Sequence, residues 1–271
     1  MKNLIIGAFT GYDFEQLKPW VKSIDECGFT GDKVLIVGNT TQETVDALNE
    51  HGFKLVFMDQ NHLKEMPIHA LRFVYIYDYL KQFYNEYEYV ITTDVKDVYF
   101  QKNPFEFLEK QDYKLVVGSE ALKYEDEPWG NQNLYETFGP YIYNDFKHQT
   151  IYNVGVLSGD SRYIRDLCLN IYLSAINRPI PIVDQAVFNV LMQTEPYISC
   201  TNYTTHDDGF VCHAGTTVDP AKINSFRPLL LEAEPIFEDG IVKTSEGESF
   251  YIVHQYDRVP EWKQYILNKF N

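Results

Sequence analysis

The stretch YEYVITTDVKDVYF, residues 87–100, decides how this chain is read. It opens as an apolar, β-branched run, breaks at Asp94-Val95-Lys96-Asp97 and turns apolar again. That pattern predicts a buried strand ending in a turn that carries two carboxylates. In open α/β sheets ligands sit at the carboxyl ends of strands, so this turn is well placed for chemistry. Two carboxylates three residues apart can converge on one hard cation, and Mg²⁺ and Mn²⁺ favour oxygen ligands while keeping waters and substrate phosphates. An ordinary polar turn with an Asp cap explains the motif equally well by itself. The sequel FQKNPF (100–105) restarts structure at once and leaves the carboxylates on a tight corner, which favours the first reading.

Upstream, strand and helix alternate. NLIIGAF (3–9) reads as a buried strand. Residues 14–27 carry Leu17, Trp20, Val21 and Ile24 at helical spacing behind Asp13, an expected N-cap. VLIVG (34–38) is a second strand, Thr41 caps a helix closed by Gly52, and FKLVFMD (53–59) is a third strand. A long helix fills 67–85, with Pro67 in its first turn. Strands this apolar in a β-α-β-α-β order predict a parallel sheet covered on both faces.

Downstream, KLVVGSE (114–120) and IYNVGVLSG (151–159) read as strands and DQAVFNVLMQ (184–193) as a helix. The stretch 124–149, crowded with Trp, Gly, Asn and Tyr, reads as a loop. The C-terminal third reads as irregular, with one last strand (249–257) and a terminal helix. No repeat, low-complexity segment or linker divides the 271 residues, so one domain is expected over 1–271.

Apolar residues make up 45% and aromatics 15%, enough for a large core, and no run approaches the ~20 apolar residues that span a bilayer. MKNLIIGAFTGYDF is too briefly apolar for a signal sequence, so a cytoplasmic location is expected. Cys27, Cys168, Cys200 and Cys212 show no CxxC spacing, which argues against a zinc knuckle or redox pair. The formal charge of −16, with basic residues dispersed, speaks against nucleic acid as a partner.

Three further signals are weak singly. Gly155 interrupts an apolar strand in Asn153-Val154-Gly155, where a bulge or a close ligand approach would explain it. Asp184-Gln185 precedes a good helix, where Asp184 is either a cap or a site residue. His254 ends the last strand, as a core residue or as the imidazole completing a metal site. His206, Asp207, Asp208 and His213 form a second acidic–histidine cluster, read as a solvated loop, and Glu125-Asp126-Glu127 reads as solvent-facing.

Taken in order, the β-α-β start, the carboxylate turn, Asn-x-Gly, Asp-Gln before a helix and a late His resemble the retaining family-8, glycogenin-like branch of GT-A glycosyltransferases. The resemblance runs from Ile5 to Trp262. It implies a single GT-A domain with a Rossmann-like, mostly parallel sheet, residues 1–100 being a nucleotide-binding half and 101–271 an acceptor and donor-sugar half. It implies transfer of a sugar, a hexose, from a UDP-sugar to a glycan or other hydroxyl acceptor, with Mn²⁺ or Mg²⁺ on the diphosphate. Residue by residue, Asp94, Asp97 and His254 match the metal ligands, and Asn153, Gly155, Asp184 and Gln185 the donor-sugar residues. Ala8, Phe9, Thr10 and Tyr12 sit where uracil and ribose contacts are expected, and Arg72 matches a basic position that touches the donor. A nucleotide diphosphate entering so acidic a chain needs a local cation, which agrees with the metal.

The chain departs from the pattern in two places. The carboxylates are spaced DxxD, with Asp97 the preferred ligand. The closing HFxGxxKPW signature is replaced by His254-Gln255-Tyr256-Asp257-Arg258, so its diphosphate lysine is missing, and Arg258 or Lys263 would substitute. Trp129, Tyr135, Tyr141 and Tyr143 offer flat faces to an acceptor. An inverting enzyme of the same fold, with Glu120, Glu125 or Asp126 as base, and a non-catalytic sugar- or nucleotide-binding protein are the alternatives. A sugar-nucleotide pyrophosphorylase would need a basic, Gly-rich loop after the first strand, and GAFTGYDFEQ has no basic residue.

Overall fold

Twelve strands follow one another in a computed structural model that describes residues 1–271. They are β1 (Lys2–Phe9), β2 (Asp32–Val37), β3 (Lys54–Phe57), β4 (Tyr87–Thr93), β5 (Val98–Phe100) and β6 (Leu115–Lys123). The later six are β7 (Thr150–Asp160), β8 (Thr201–Thr204), β9 (Val211–His213), β10 (Ile236–Glu238), β11 (Ile241–Lys243) and β12 (Ile252–His254). Seven of them form the central sheet, in the order β3-β2-β1-β4-β7-β6-β8. Only β7 is inverted, lying antiparallel to both β4 and β6. The other pairings of this sheet are parallel.

The strands are apolar because both of their faces are covered. Leu4 and Ile6 of β1 point into one cluster with the helices Ile68–Phe83 and Ser161–Ala175. Ile5, between them, joins the other cluster with Leu17, Trp20 and Ile24 of the helix Phe14–Glu26. Alternate residues serve opposite faces, as the pleat requires. Burying each such side chain stabilises the fold by roughly 1.5–3 kcal/mol relative to exposure.

Helix starts follow the sequence signals. Asp13 forms a capping box with Gln16, accepting from its amide at 3.0 Å while the Gln16 side chain accepts from the Asp13 amide. Thr41 caps the helix Gln42–Glu50. Pro67 is the N-cap rather than the first helical residue of Ile68–Phe83. No helix is long and apolar enough to cross a membrane. The four cysteines are unpaired, and burial pushes the Cys168 thiol up to about 12, which leaves it inert as a nucleophile.

Two expectations are corrected. Residues 124–149 are mostly a helix, Pro128–Phe146, capped by Glu127 and broken at Gly139 (φ 74°) before Pro140. Its poor intrinsic propensity is overridden by packing of Leu134 and Phe138 against Tyr124, Ile151 and Ala186. The C-terminal third is more ordered than expected. β12 lies between β5 and β9 in a three-stranded sheet, and β10 and β11 form a hairpin. Each of these strands has three residues, too short for periodicity to mark.

Candidate active site and metal centre

The carboxylate turn is fixed from three sides. The hydroxyl of Thr93, the last residue of β4, accepts from the buried Trp20 indole at 2.8 Å. The Asp94 amide donates to the Gly155 carbonyl of β7 at 2.8 Å, and the Asp97 carbonyl accepts from the Gln255 amide at 2.7 Å. Gln255, held at φ 61°, turns the chain directly after His254, and its side-chain oxygen accepts from the Gly215 amide at 3.1 Å. Asp94, Asp97 and His254 therefore converge, with one ligand atom from each lying within 4.8 Å of the others.

His254 is buried, and its Nε2 lies 3.6 Å from Asp94 Oδ2 and 3.7 Å from Asp97 Oδ1. Those separations exceed a hydrogen bond. Two carboxylate oxygens and one imidazole nitrogen are a donor set that suits Mn²⁺ or Mg²⁺. The scaffold also leaves the space clear: a Cβ on Gly155 would come within 2.5 Å of His254 Cε1 and 2.9 Å of Asp94 Oδ2. The residues present fit the ion.

The charges show what the cluster lacks. Burial opposes ionisation of Asp94, yet Arg72 and His254 outweigh it and hold the carboxyl well below its usual range. Asp97 has no guanidinium in contact: burial, with Asp94 and Asp257 nearby, pushes it up against the pull of His254 and Arg258. Burial disfavours the charged imidazole of His254, but Asp97, Asp94 and Glu120 overcome it and raise its pKa. A further positive charge between Asp94 and Asp97 would relieve this imbalance.

Arg72, from the helix before β4, hydrogen-bonds the Oδ1 of Asp94 and reaches Asp184 Oδ2 at 2.9 Å. Asp184 is thus not the cap of its helix; Val183 holds that position, and the Asp184 carboxylate, 4% exposed, turns to Arg72. Burial raises its pKa against the guanidinium's pull. Asn153 and Gln185 meet at Glu120, whose Oε1 accepts from Asn153 Nδ2 and from Gln185 Nε2 at 3.1 Å. Asn153 Oδ1 also accepts from the Gly155 amide at 2.7 Å. Burial pushes the Glu120 carboxyl up to about 7, in spite of the Asn153 bond.

Two cavities meet here. One, of about 270 Å³, is lined by Ala8, Phe9, Thr10, Tyr12, Lys96 and Asp97. The other, of about 460 Å³, is lined by Glu120, Asn153, Gly155, Asp184, Gln185 and His254. His69, Arg72, Asp94 and Arg258 belong to both. Between them the two walls collect all thirteen site residues named from the sequence: Ala8, Phe9, Thr10, Tyr12, Arg72, Asp94, Asp97, Asn153, Gly155, Asp184, Gln185, His254 and Arg258.

Other expectations fall elsewhere. Of the aromatics offered to an acceptor, Trp129 lines the larger cavity, whereas Tyr135, Tyr141 and Tyr143 do not. Lys263 lines neither cavity, while Lys222, unnoticed in the sequence, lines the larger one. Glu127 is buried and caps its helix rather than facing solvent. The cluster read as a solvated loop is divided: Asp207 and Asp208 are exposed, but His206 and His213 are buried. No spacing rule could have found His213, because β9 is brought beside β12 only by tertiary pairing.

In fold the chain is similar to the crystal structure of the galactosyltransferase LgtC in complex with donor and acceptor sugar analogs. The two share 14% identity over 93% of this chain and 86% of that one, with a TM-score of 0.50. No family model and no curated protein matches the sequence. At this identity the likeness speaks for the fold, a GT-A domain with a mostly parallel central sheet.

Proposed function

We propose that the chain is a metal-dependent glycosyltransferase that moves a sugar, a hexose, from a UDP-sugar to a glycan or other hydroxyl acceptor with retention. The observation that carries this reading is the junction of the two cavities at Asp94 and Arg72, beside the Asp94–Asp97–His254 cluster. A nucleoside would lie in the smaller cavity along Ala8, Phe9, Thr10 and Tyr12, and a sugar in the larger, polar one. The smaller cavity draws its lining from residues 1–100 apart from Asp257 and Arg258, which supports a nucleotide-binding half and a donor-sugar and acceptor half.

Asp94, Asp97 and His254 would hold Mn²⁺ or Mg²⁺, which as a Lewis acid neutralises charge on a departing diphosphate. Arg258, shared by both cavities, would take the place of the missing lysine beside the diphosphate. Arg72 holds Asp184 in place, and the Asp184 carboxylate stabilises positive charge at the anomeric carbon. Fixed charges of this kind are worth roughly 3 kcal/mol each when removed singly. Asn153 and Gln185, oriented through Glu120, present their remaining polar atoms to the sugar. Trp129, half exposed, stands at the open wall of the larger cavity, where an acceptor ring would stack.

Glu120 supports a second reading. A buried carboxyl in the donor cavity with a pKa near 7 suits a general base, as an inverting enzyme requires. The anomeric configuration of the product separates the two. The first experiment is a thermal-shift panel of UDP-, GDP- and other sugar nucleotides with Mn²⁺ and with EDTA. Stabilisation by UDP only with the ion supports the metal-bridged site. Equal stabilisation in EDTA would sink it, and no turnover with any sugar nucleotide that binds would favour a non-catalytic binding protein.

A further inference from the structure

His213 lies directly beneath the imidazole of the carboxylate cluster. β9 and β12 run parallel with His213 opposite His254, so both side chains leave the sheet on one face. The rings meet edge-on, with Nδ1 facing Nδ1 at 3.0 Å. Two bare nitrogens at that distance repel and two protonated ones collide, so a single proton lies between them. Which ring owns it decides what His254 shows to Asp94 and Asp97. If His213 owned it, a neutral His254 would carry its proton on Nε2, facing the carboxylates and closed to a cation. If His254 owns it, its Nε2 is free to present a lone pair.

The surroundings favour the second arrangement. His254 Nε2 faces Asp94 Oδ2 at 3.6 Å and Asp97 Oδ1 at 3.7 Å, so a cation held among them meets that nitrogen, and a neutral His254 that ligates it carries its one proton on Nδ1. His213 is fully buried, where a charge is costly, and a neutral imidazole offers one acceptor nitrogen. Its Nε2 has no hydrogen-bond partner and packs against Gly118, where a Cβ would come within 2.8 Å.

We propose that His213 is a positioning residue for the metal site, accepting the Nδ1 proton of His254 so that the Nε2 lone pair of His254 is turned to the cation. This rests on the metal-site reading above. Ligating histidines as a rule donate their second ring N–H to an acceptor, and loss of that acceptor costs roughly 10–100-fold in metal affinity. A neutral imidazole is an unusual acceptor for the role, and here the strand register supplies it.

The test has two arms. In the wild type saturated with Mg²⁺, ¹⁵N NMR of the ring nitrogens should find His213 protonated on Nε2 and bare on Nδ1. The opposite tautomer would overturn the proposal without any variant. Calorimetric titration with Mn²⁺ alone should then show affinity reduced about 10–100-fold in His213→Phe and largely restored in His213→Asn, whose amide oxygen accepts. A folded His213→Phe protein that binds Mn²⁺ like the wild type sinks the role of His213 and leaves the metal site standing. A wild type that binds no Mn²⁺ sinks the metal reading itself, and this inference with it.

Discussion

The amide of Asp94 donates to the carbonyl of Gly155 at 2.8 Å, and this bond joins two motifs 61 residues apart into one wall. It brings the carboxylate turn after β4 against the antiparallel β7, so the Asp94 side chain, Asn153 and His254 share a small space. The site is a property of the β4–β7 pairing as much as of its side chains.

Gly155→Ala is the sharpest test of that crowding. The added Cβ would lie within 2.5 Å of His254 Cε1, 2.8 Å of Asn153 Oδ1 and 2.9 Å of Asp94 Oδ2, so these groups must shift. Overpacking of this kind costs about 1–3 kcal/mol. Melting temperature should fall moderately, while Mn²⁺ affinity by calorimetry should fall about 10-fold or more. Unchanged metal affinity would place the ion elsewhere.

The two aspartates should behave differently when neutralised. Asp97→Asn removes a carboxyl that burial and Asp94 already disfavour, so it should abolish transfer and leave the apo melting temperature unchanged or higher. Asp94→Asn also breaks the ion pair with Arg72 and should lower apo stability by about 1–2 kcal/mol, discounted from ~3–5 for a fully buried pair because Asp94 is a third exposed. The Asp94 pKa is depressed in the folded state, so its contribution is present above the unfolded value near 4 and is lost as pH falls below it. Denaturant melts at pH 7 and in acid should show the gap between Asp94→Asn and wild type closing in acid.

Glu120 carries the opposite sign. Its folded pKa of about 7 stands above the ordinary glutamate value of 4.5, so the native state holds a proton that the unfolded chain has already lost. Stability from this group is full below about pH 4.5 and declines as pH rises through 7, by on the order of 3 kcal/mol. Glu120→Gln keeps an oxygen for Asn153 and Gln185 and should stabilise the metal-free protein at pH 8 but scarcely at pH 5. A pH-independent difference in melting temperature would contradict the buried-acid account.

Metal binding should also depend on pH through His254. Its raised pKa means that a proton competes with the cation from above the usual value of 6.5 downward. In the metal-free protein the charged imidazole stabilises the fold at low pH, and that contribution is lost as pH rises through the raised pKa. The melting-temperature increase given by Mn²⁺ with UDP should therefore grow from pH 6 to pH 8. His254→Ala should lower nucleotide affinity in Mn²⁺ and flatten this trend; a mutant retaining both would assign His254 to the core alone.

What the sequence determined by itself is the part of the molecule whose causes are local. Uninterrupted apolar runs such as Leu4-Ile5-Ile6 and Val34–Val37 can be satisfied only by a sheet covered on both faces, and Asp13 and Thr41 mark helix starts through bonds spanning three residues. The turn at Asp94 and Asp97 was legible for the same reason, since a strand broken by two charges must end there. The helix Pro128–Phe146 was not, because its stability comes from packing against Tyr124, Ile151 and Ala186 and outweighs its own weak propensity. Only the tertiary structure decided that Arg72 holds both Asp94 and Asp184, that Asn153 and Gln185 meet on Glu120, and that His213 lies under His254. Those contacts link residues 22 to 112 positions apart, and the burial that gives them their energy exists only once β7, β9 and β12 have found their partners.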